Sequence, residues 1–128
     1  MIRGITLDTG ALIAMERRKG RARRLLELCQ QRIAVLAAPL PVVAEWWRGR
    51  TDVRERILDV VNIAPLTTAM AKAAGEAQAS VPRSTAVDAM VMAFAASRGD
   101  VVFTGDVDDL ERLRRFFPGV RVLSIGDP

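Results

Sequence analysis

The stretch Ile2-Arg3-Gly4-Ile5-Thr6-Leu7-Asp8-Thr9-Gly10-Ala11-Leu12-Ile13-Ala14-Met15 decides the fold. Its first six residues are a short apolar-rich run suited to a strand. Asp8-Thr9-Gly10 supplies turn and cap chemistry, and the residues from Ala11 onward have helical character. A strand that enters a helix through so short a turn must return by a crossover, which is the grammar of a parallel sheet. The same alternation continues outward. Residues 21–31 carry Leu25, Leu26 and Leu28 at helical spacing, and 33–37 are a run suited to a fully buried strand. Pro41 fits the first turn of a helix bearing Val42, Val43, Glu45, Trp46 and Trp47, with Gly49 as its stop. Residues 52–60 read as a charged helix, 62–66 as an extended piece, 68–79 as an alanine-rich helix and 80–85 as a loop. Residues 86–97 form an apolar helix closed by Gly99, 100–104 a strand, 107–116 a short helix and 120–124 a last strand. The expectation is an α/β protein, a three-layer α/β/α sandwich with a mostly parallel central sheet, in one domain spanning residues 1–128.

Composition narrows the chemistry. The chain of 128 residues has no histidine and one cysteine, Cys29. A Ser/His/Asp hydrolase, a histidine-driven ribonuclease, a histidine-ligated zinc site and an internal disulfide are thereby excluded. The apolar stretch 33–44 is broken by Pro39 and Pro41 and is shorter than the ~20 residues that span a bilayer. No membrane span is expected. The start lacks the pattern of a secretory signal, so a cytoplasmic location is expected. The net charge is +4, and Lys19 and Lys72 are the only lysines among 19 basic residues. Arginine suits phosphate because its planar fork makes paired hydrogen bonds. The clusters at Arg17, Arg18, Lys19, Arg21, Arg23 and Arg24, at Arg48, Arg50, Arg54 and Arg56, and at Arg112, Arg114 and Arg115 point to nucleic acid or an acidic protein as partner. Taken singly, each cluster also reads as a solvated helix face. With aromatics at 5% and no tyrosine, base stacking is not indicated.

In open parallel sheets, ligands sit beyond the carboxyl ends of the strands, and the acids fall there. Asp8 follows the first strand. It either caps the next helix or, if Thr9 caps instead, is free as a ligand. Glu45 lies among apolar neighbours, where a buried carboxylate is costly without a cation or donor; an exposed face with an arginine partner is the alternative. Asp88 opens the apolar helix and either serves its N-terminus or, if Thr85 caps, points at the sheet edge. Asp106 follows the strand ending at Thr104 and is preferred for the site, with Asp109 as second candidate and Asp108 solvated. Carboxylates converging in one pocket repel, by ~4 kcal/mol per close pair at an effective dielectric near 20. They must bind cations or take up protons. With oxygen donors only, the ion is Mg²⁺ or Mn²⁺, and two such ions can activate a water and steady a leaving oxygen in phosphodiester cleavage. Thr9 and Thr104 are supporting candidates that orient ligands, or plain caps.

Leu7-Asp8-Thr9-Gly10-Ala11, Val43-Ala44-Glu45, Val87-Asp88-Ala89 and Thr104-Gly105-Asp106, in that order, resemble the PIN-domain family, and specifically the toxin ribonucleases of VapBC-type toxin–antitoxin systems. The resemblance covers essentially the whole chain. It implies that Asp8, Glu45, Asp88 and Asp106 are catalytic and metal-binding, that RNA is cut endonucleolytically, and that a cognate antitoxin inhibits the cut. Arg17, Arg18, Arg21 and Arg24 are then candidates for RNA binding, and a homodimer is expected. Family members commonly carry Ser or Asn where this chain has Gly10, which removes a possible supporting hydrogen bond but no ligand. The resemblance also lets one of Trp46 and Trp47 join a groove for the antitoxin or a dimer partner, two core tryptophans being the alternative. Two other readings remain: a catalytically silent RNA-binding or protein-interaction domain of the same fold, and phosphoryl transfer through an aspartyl intermediate. The second is disfavoured because no acid stands two residues after Asp8 and no lysine follows a late strand.

Overall fold

A computed structural model describes residues 3–126; Ile2, expected in the first strand, lies outside them. The strands are β1 (Arg3–Leu7), β2 (Ala34–Pro39), β3 (Val61–Ala64), β4 (Val101–Thr104) and β5 (Val122–Ser124). The helices are α1 (Thr9–Arg17), α2 (Ala22–Gln30), α3 (Leu40–Trp46), α4 (Asp52–Val60), α5 (Thr68–Ser80), α6 (Ala86–Arg98) and α7 (Val107–Glu111). The sheet runs β3-β2-β1-β4-β5, and every neighbouring pair is parallel. The expected α/β architecture is present, with a sheet that is parallel throughout.

That strand order has a consequence for function. From β1 the chain steps outward to β2 and β3, then returns to the other side of β1 for β4 and β5. Right-handed crossovers therefore place α1, α2 and α4 on one face and α5, α6 and α7 on the other. The reversal falls between β1 and β4. Their carboxyl ends diverge into a crevice, the usual ligand position in such sheets. The short α3 starts directly after β2 and packs against both α1 and α6.

Because helices cover both faces, the strands bury side chains on both sides: Ile5, Thr6 and Leu7 of β1, Leu36, Ala37 and Ala38 of β2, and Val102, Phe103 and Thr104 of β4. In α6, Ala89 and every residue from Val91 to Ala95 are buried. It is clamped between the sheet and α5, whose Ala74 and Ala77 let the two helices approach. The last strand, expected over 120–124, is confined to Val122–Ser124, and the last helix is shorter too. The last helix ends at Glu111, and the chain continues in three-residue turns, Leu113 N–H to Leu110 O (3.0 Å), Phe116 N–H to Leu113 O (3.0 Å) and Phe117 N–H to Arg114 O (3.0 Å). Pro118 drives Phe117 out of the helical region, and the tighter winding keeps Leu110 and Leu113 buried.

An ion pair between a buried carboxylate and an exposed arginine closes the opposite, amino edge of the sheet. Asp100 is 5% exposed and accepts from Thr6 Oγ1 and Arg98 Nε, each at 2.9 Å. Gly4 makes room for it, since a Cβ there would sit 2.1 Å from Asp100 Oδ1. Among the described residues no helix is long and apolar enough to cross a membrane.

Candidate functional site at the carboxyl edge

Asp8 leaves β1 at the reversal point and is buried. It is itself the N-cap of α1, its Oδ1 accepting from Ala11 N–H at 2.8 Å. The expectation that Thr9 would cap instead is corrected. Thr9 Oγ1 donates across to Glu45 Oε1 at 2.6 Å, because as the first helical residue it points away from the free N–H groups and toward α3. The other oxygen of Asp8, Oδ2, accepts a short hydrogen bond from the buried Thr104 hydroxyl, and Thr104 Oγ1 in turn accepts from Asp106 N–H at 2.9 Å. Burial pushes the Asp8 carboxyl above its ordinary range and the charge of Asp106 adds to it, while hydrogen bonds from Thr104, Ala11 and Gly105 pull the other way.

The two turns that carry these residues interlock. A Cβ on Gly10 would stand 2.9 Å from Gly105 Cα, and one on Gly105 would stand 3.0 Å from Gly10 Cα. Asp8-Thr9-Gly10 and Thr104-Gly105-Asp106 thus meet with bare backbone between them. In the sequence Gly10 stands only for a lost hydrogen bond, because its contact partner Gly105 lies 95 residues away along the chain.

Asp88 stands on the first turn of α6, half-buried, and Thr85 caps that helix by accepting from Asp88 N–H at 3.1 Å. Burial is the main cause that pushes Asp88 up to about 6, and the charges of Asp8, Asp109 and Glu45 push in the same direction. Glu45 is exposed, not buried. The inward stripe of α3 is Val42 and Trp46, four residues apart, so the apolar neighbours of Glu45 in sequence are not its neighbours in space. Asp106 is exposed and caps α7 by accepting from Asp109 N–H at 3.3 Å. Asp109 is half-buried and paired with Arg112 at 2.5 Å, and Asp108 is exposed as expected.

Asp8, Asp88, Glu45, Asp106 and Asp109 therefore surround one edge, where burial and then the neighbouring charges raise the proton affinity of Asp8 and Asp88, yet the five are grouped more loosely than their order in the sequence suggests. Among the described residues no three acidic, histidine or cysteine side chains are grouped closely enough to hold a metal ion by themselves. Capping draws Asp106 outward and Arg112 holds Asp109. The donor set nonetheless fits a hard divalent cation. It is all oxygen, its two most buried carboxyls are protonated more readily than usual, and Mg²⁺ or Mn²⁺ completes its shell with water and substrate oxygens.

The basic turn between α1 and α2 reaches the same edge. Arg21 N–H donates to Ile125 O at 2.9 Å, and Ile125 N–H donates to Thr104 O at 3.0 Å, so this turn is bonded to the residue that holds Asp8. Gly20, at φ +57°, permits the contact, since a Cβ there would meet Ile125 O at 2.0 Å. Arg17 and Arg18 are exposed and Arg21 is half-buried. Arg24 pairs with Glu27 at 3.3 Å, and Arg18 also borders a groove of about 370 Å³ formed with Met15, Leu26, Val53, Arg56 and Ile57. Glu16, which no motif in the sequence singles out, binds Trp46 and Arg54. Trp46 is core at 2% exposure, and Trp47 is half-buried with its ring edge-on to Trp46 at 6.0 Å.

A parallel α/β fold with acids gathered at its switch point and arginines beside them belongs to the class of open-sheet domains that place a ligand beyond the carboxyl ends of their strands. A family profile described as PIN domain matches residues 5–116, and the chain belongs to the PIN-domain family. PIN domains are generally nucleases and generally use divalent metal ions. Similar solved structures include DNA-bound VapBC from Salmonella typhimurium, at 21% identity and TM-score 0.69 over 97% of this chain and 98% of that one. VapBC2 from Rickettsia felis bound to a promoter DNA fragment gives 15% identity and TM-score 0.72 over 97% and 98%. FitAcB from Neisseria gonorrhoeae gives 17% identity and TM-score 0.65 over 93% and 96%. Compared by sequence with curated proteins, the chain matches none.

Proposed function

We propose that this chain, as one nuclease domain, is a Mg²⁺- or Mn²⁺-dependent endoribonuclease, the toxin of a toxin–antitoxin pair that acts in the cytoplasm and is held in check by a cognate antitoxin. The observation that carries the nuclease reading is the gathering of carboxylates at the switch point: burial pushes Asp8 and Asp88 up, and the charges of other acids of the same edge push each in the same direction. Acids so arranged are kept for a cation. The cation supplies charge neutralisation at the scissile phosphate and an activated water.

The chain's own residues do the rest. Asp8, Glu45, Asp88 and Asp106, with Asp109 as the alternative to Asp106, hold the ion. Thr104 fixes the Asp8 carboxylate and Thr9 fixes that of Glu45. Arg17, Arg18, Arg21 and Arg24 attract the RNA backbone toward that edge. The toxin, antitoxin and homodimer parts of the reading rest on the VapBC resemblance together with the fold shared with VapBC and FitAcB structures.

The test is cleavage of RNA by the purified chain. Cleavage is expected with Mg²⁺ or Mn²⁺, none in excess EDTA, and none by Asp8→Asn, whose amide oxygen keeps the cap and the fold. Full activity in EDTA, or an unimpaired Asp8→Asn, overturns the reading; RNA binding without cleavage under any metal supports a silent binding domain instead. Changing Arg17, Arg18, Arg21 and Arg24 together to Ala should weaken RNA binding and flatten its dependence on salt in a filter-binding series. Unchanged binding would remove the arginine turn from the RNA path.

A further inference from the structure

Glu16 lies two turns along α1 from the acids of the site and touches none of them, yet among the described residues it is the most heavily bonded carboxylate outside the edge. Its Oε1 accepts from Trp46 Nε1 at 3.0 Å and from Arg54 Nε at 3.2 Å, and its Oε2 accepts from Arg54 Nη2 at 3.1 Å. Arg54 also donates through Nη1 to Gly49 O at 2.9 Å. Both partners of the ion pair are largely shielded, the Arg54 side chain at 17% and the Glu16 side chain at 25% exposure.

The placement of these bonds is informative. Thr9 and Glu16 are seven residues apart on α1, two turns on one face and about 10 Å along the axis. Thr9 grips Glu45 of α3, and Glu16 grips Trp46, the next residue. The end of α3 is thus pinned to α1 at two points. Helix α3 is only seven residues long and has no side-chain cap. So short a helix does not hold its own direction, which tertiary contacts must set. Through Arg54 the same carboxylate also ties down the start of α4 and the loop that joins it to α3. An apolar pair of similar volume would serve stability as well as a shielded ion pair; what the fork adds is a fixed geometry.

We propose that Glu16 is a positioning residue for Glu45: by gripping Trp46 and Arg54 it fixes where α3 presents Glu45 to the cation pocket. This rests on the reading of Glu45 as a metal ligand. Glu16 itself touches neither ion nor substrate.

The test is a double-mutant cycle read by titration of Mn²⁺ alone into the metal-free chain, with Glu16→Gln, Glu45→Gln and both together, and circular dichroism confirming that each is folded. Glu16→Gln should raise the Mn²⁺ Kd about 10-fold, as loss of a supporting partner does in metal sites. In the Glu45→Gln background the same change should have no further effect, because there is no ligand left to position. Tryptophan emission should shift in Glu16→Gln as the Trp46 indole loses its charged acceptor. An unchanged Kd in Glu16→Gln overturns the proposal, and so does an equal loss in both backgrounds, which would mark a general effect on the fold. If Glu45→Gln alone leaves the Kd unchanged while Asp88→Asn raises it, Glu45 is not a ligand and the proposal fails with it, although the metal site stands. Should Glu16→Gln not fold, Arg54→Gln enters the same cycle with the same expected pattern.

Discussion

Thr104 is fully buried and uses one hydroxyl twice, donating to Asp8 Oδ2 and accepting from the N–H of Asp106. Thr104→Val keeps the volume and removes both bonds, leaving a buried carboxylate oxygen without its donor. Such an orphan costs about 1–3 kcal/mol, and the loss of a bond that holds the Asp8 carboxyl down should raise its proton affinity further. Urea denaturation of the metal-free chain should show that loss in Thr104→Val and most of it restored in Thr104→Ser; a Val variant as stable as the parent would refute the account. Residue-scale roles were the least legible part of the sequence. That Asp8 and Asp88 stand at the edge followed from their position after a strand and before an apolar helix. That Asp8 caps its own helix while Thr9 reaches Glu45 depends on which way two adjacent side chains leave the backbone, and no spacing rule carries that. The apolar run around Glu45 suggested burial, whereas helical period turned it outward.

At the scale of elements, the join between the two acid-bearing turns makes a prediction whose sign is diagnostic. Gly10 belongs to helix α1, where Gly is ordinarily about 0.5–1 kcal/mol worse than Ala. On propensity alone, Gly10→Ala or Gly10→Ser should stabilise the chain. The structure predicts the opposite, because the new Cβ would lie 2.9 Å from the Gly105 Cα and 3.0 Å from its N, both backbone atoms that cannot turn aside. Overpacking of this kind costs about 1–3 kcal/mol, and parting the turns should also weaken Mn²⁺ binding. A higher melting temperature for Gly10→Ala would show that the turns do not meet as described. Elements themselves were legible wherever a local signal defined them: the helix over 86–97 from its apolar run and its Gly99 stop, and the strands from short apolar runs. The terminal helix misled because its charged and apolar periodicity continues past Glu111, while Pro118 acts on the backbone from beyond the pattern.

At the scale of the whole molecule, the strand order is set by which sheet edge each crossover returns to, a choice made by packing across the chain and absent from any window of sequence. The sequence could place Asp8 and Asp106 beyond strands, but only the order β3-β2-β1-β4-β5 puts those two strands side by side at the reversal. Gathering acids there couples folding, protons and metal. In the metal-free chain Asp88 keeps its proton up to pH about 6, whereas the unfolded chain releases it near 3.8. Between these values the folded state binds more protons, so this contribution to stability is complete below 3.8 and is lost as pH rises through 6. Asp8, shifted in the same direction, adds to the slope. Glu16 acts in the opposite sense: the fork of Arg54 lowers it from 4.5, so its contribution is present above that value and disappears as pH falls through its folded value. Bound Mn²⁺ requires the deprotonated acids, so its affinity should climb over the window in which metal-free stability declines. Metal at a hundredfold over its Kd adds about 2.7 kcal/mol, and the gap in melting temperature between Mn²⁺-loaded and EDTA-treated protein should therefore widen from about pH 4 to about pH 6. Asp88→Asn carries no such proton, so its metal-free melting curve should fall less steeply across that interval than the parent's. Parallel pH profiles for the two metal-free proteins would mean that Asp88 does not bear the charge strain of the site, and the cation would then have to be sought around Asp8 alone.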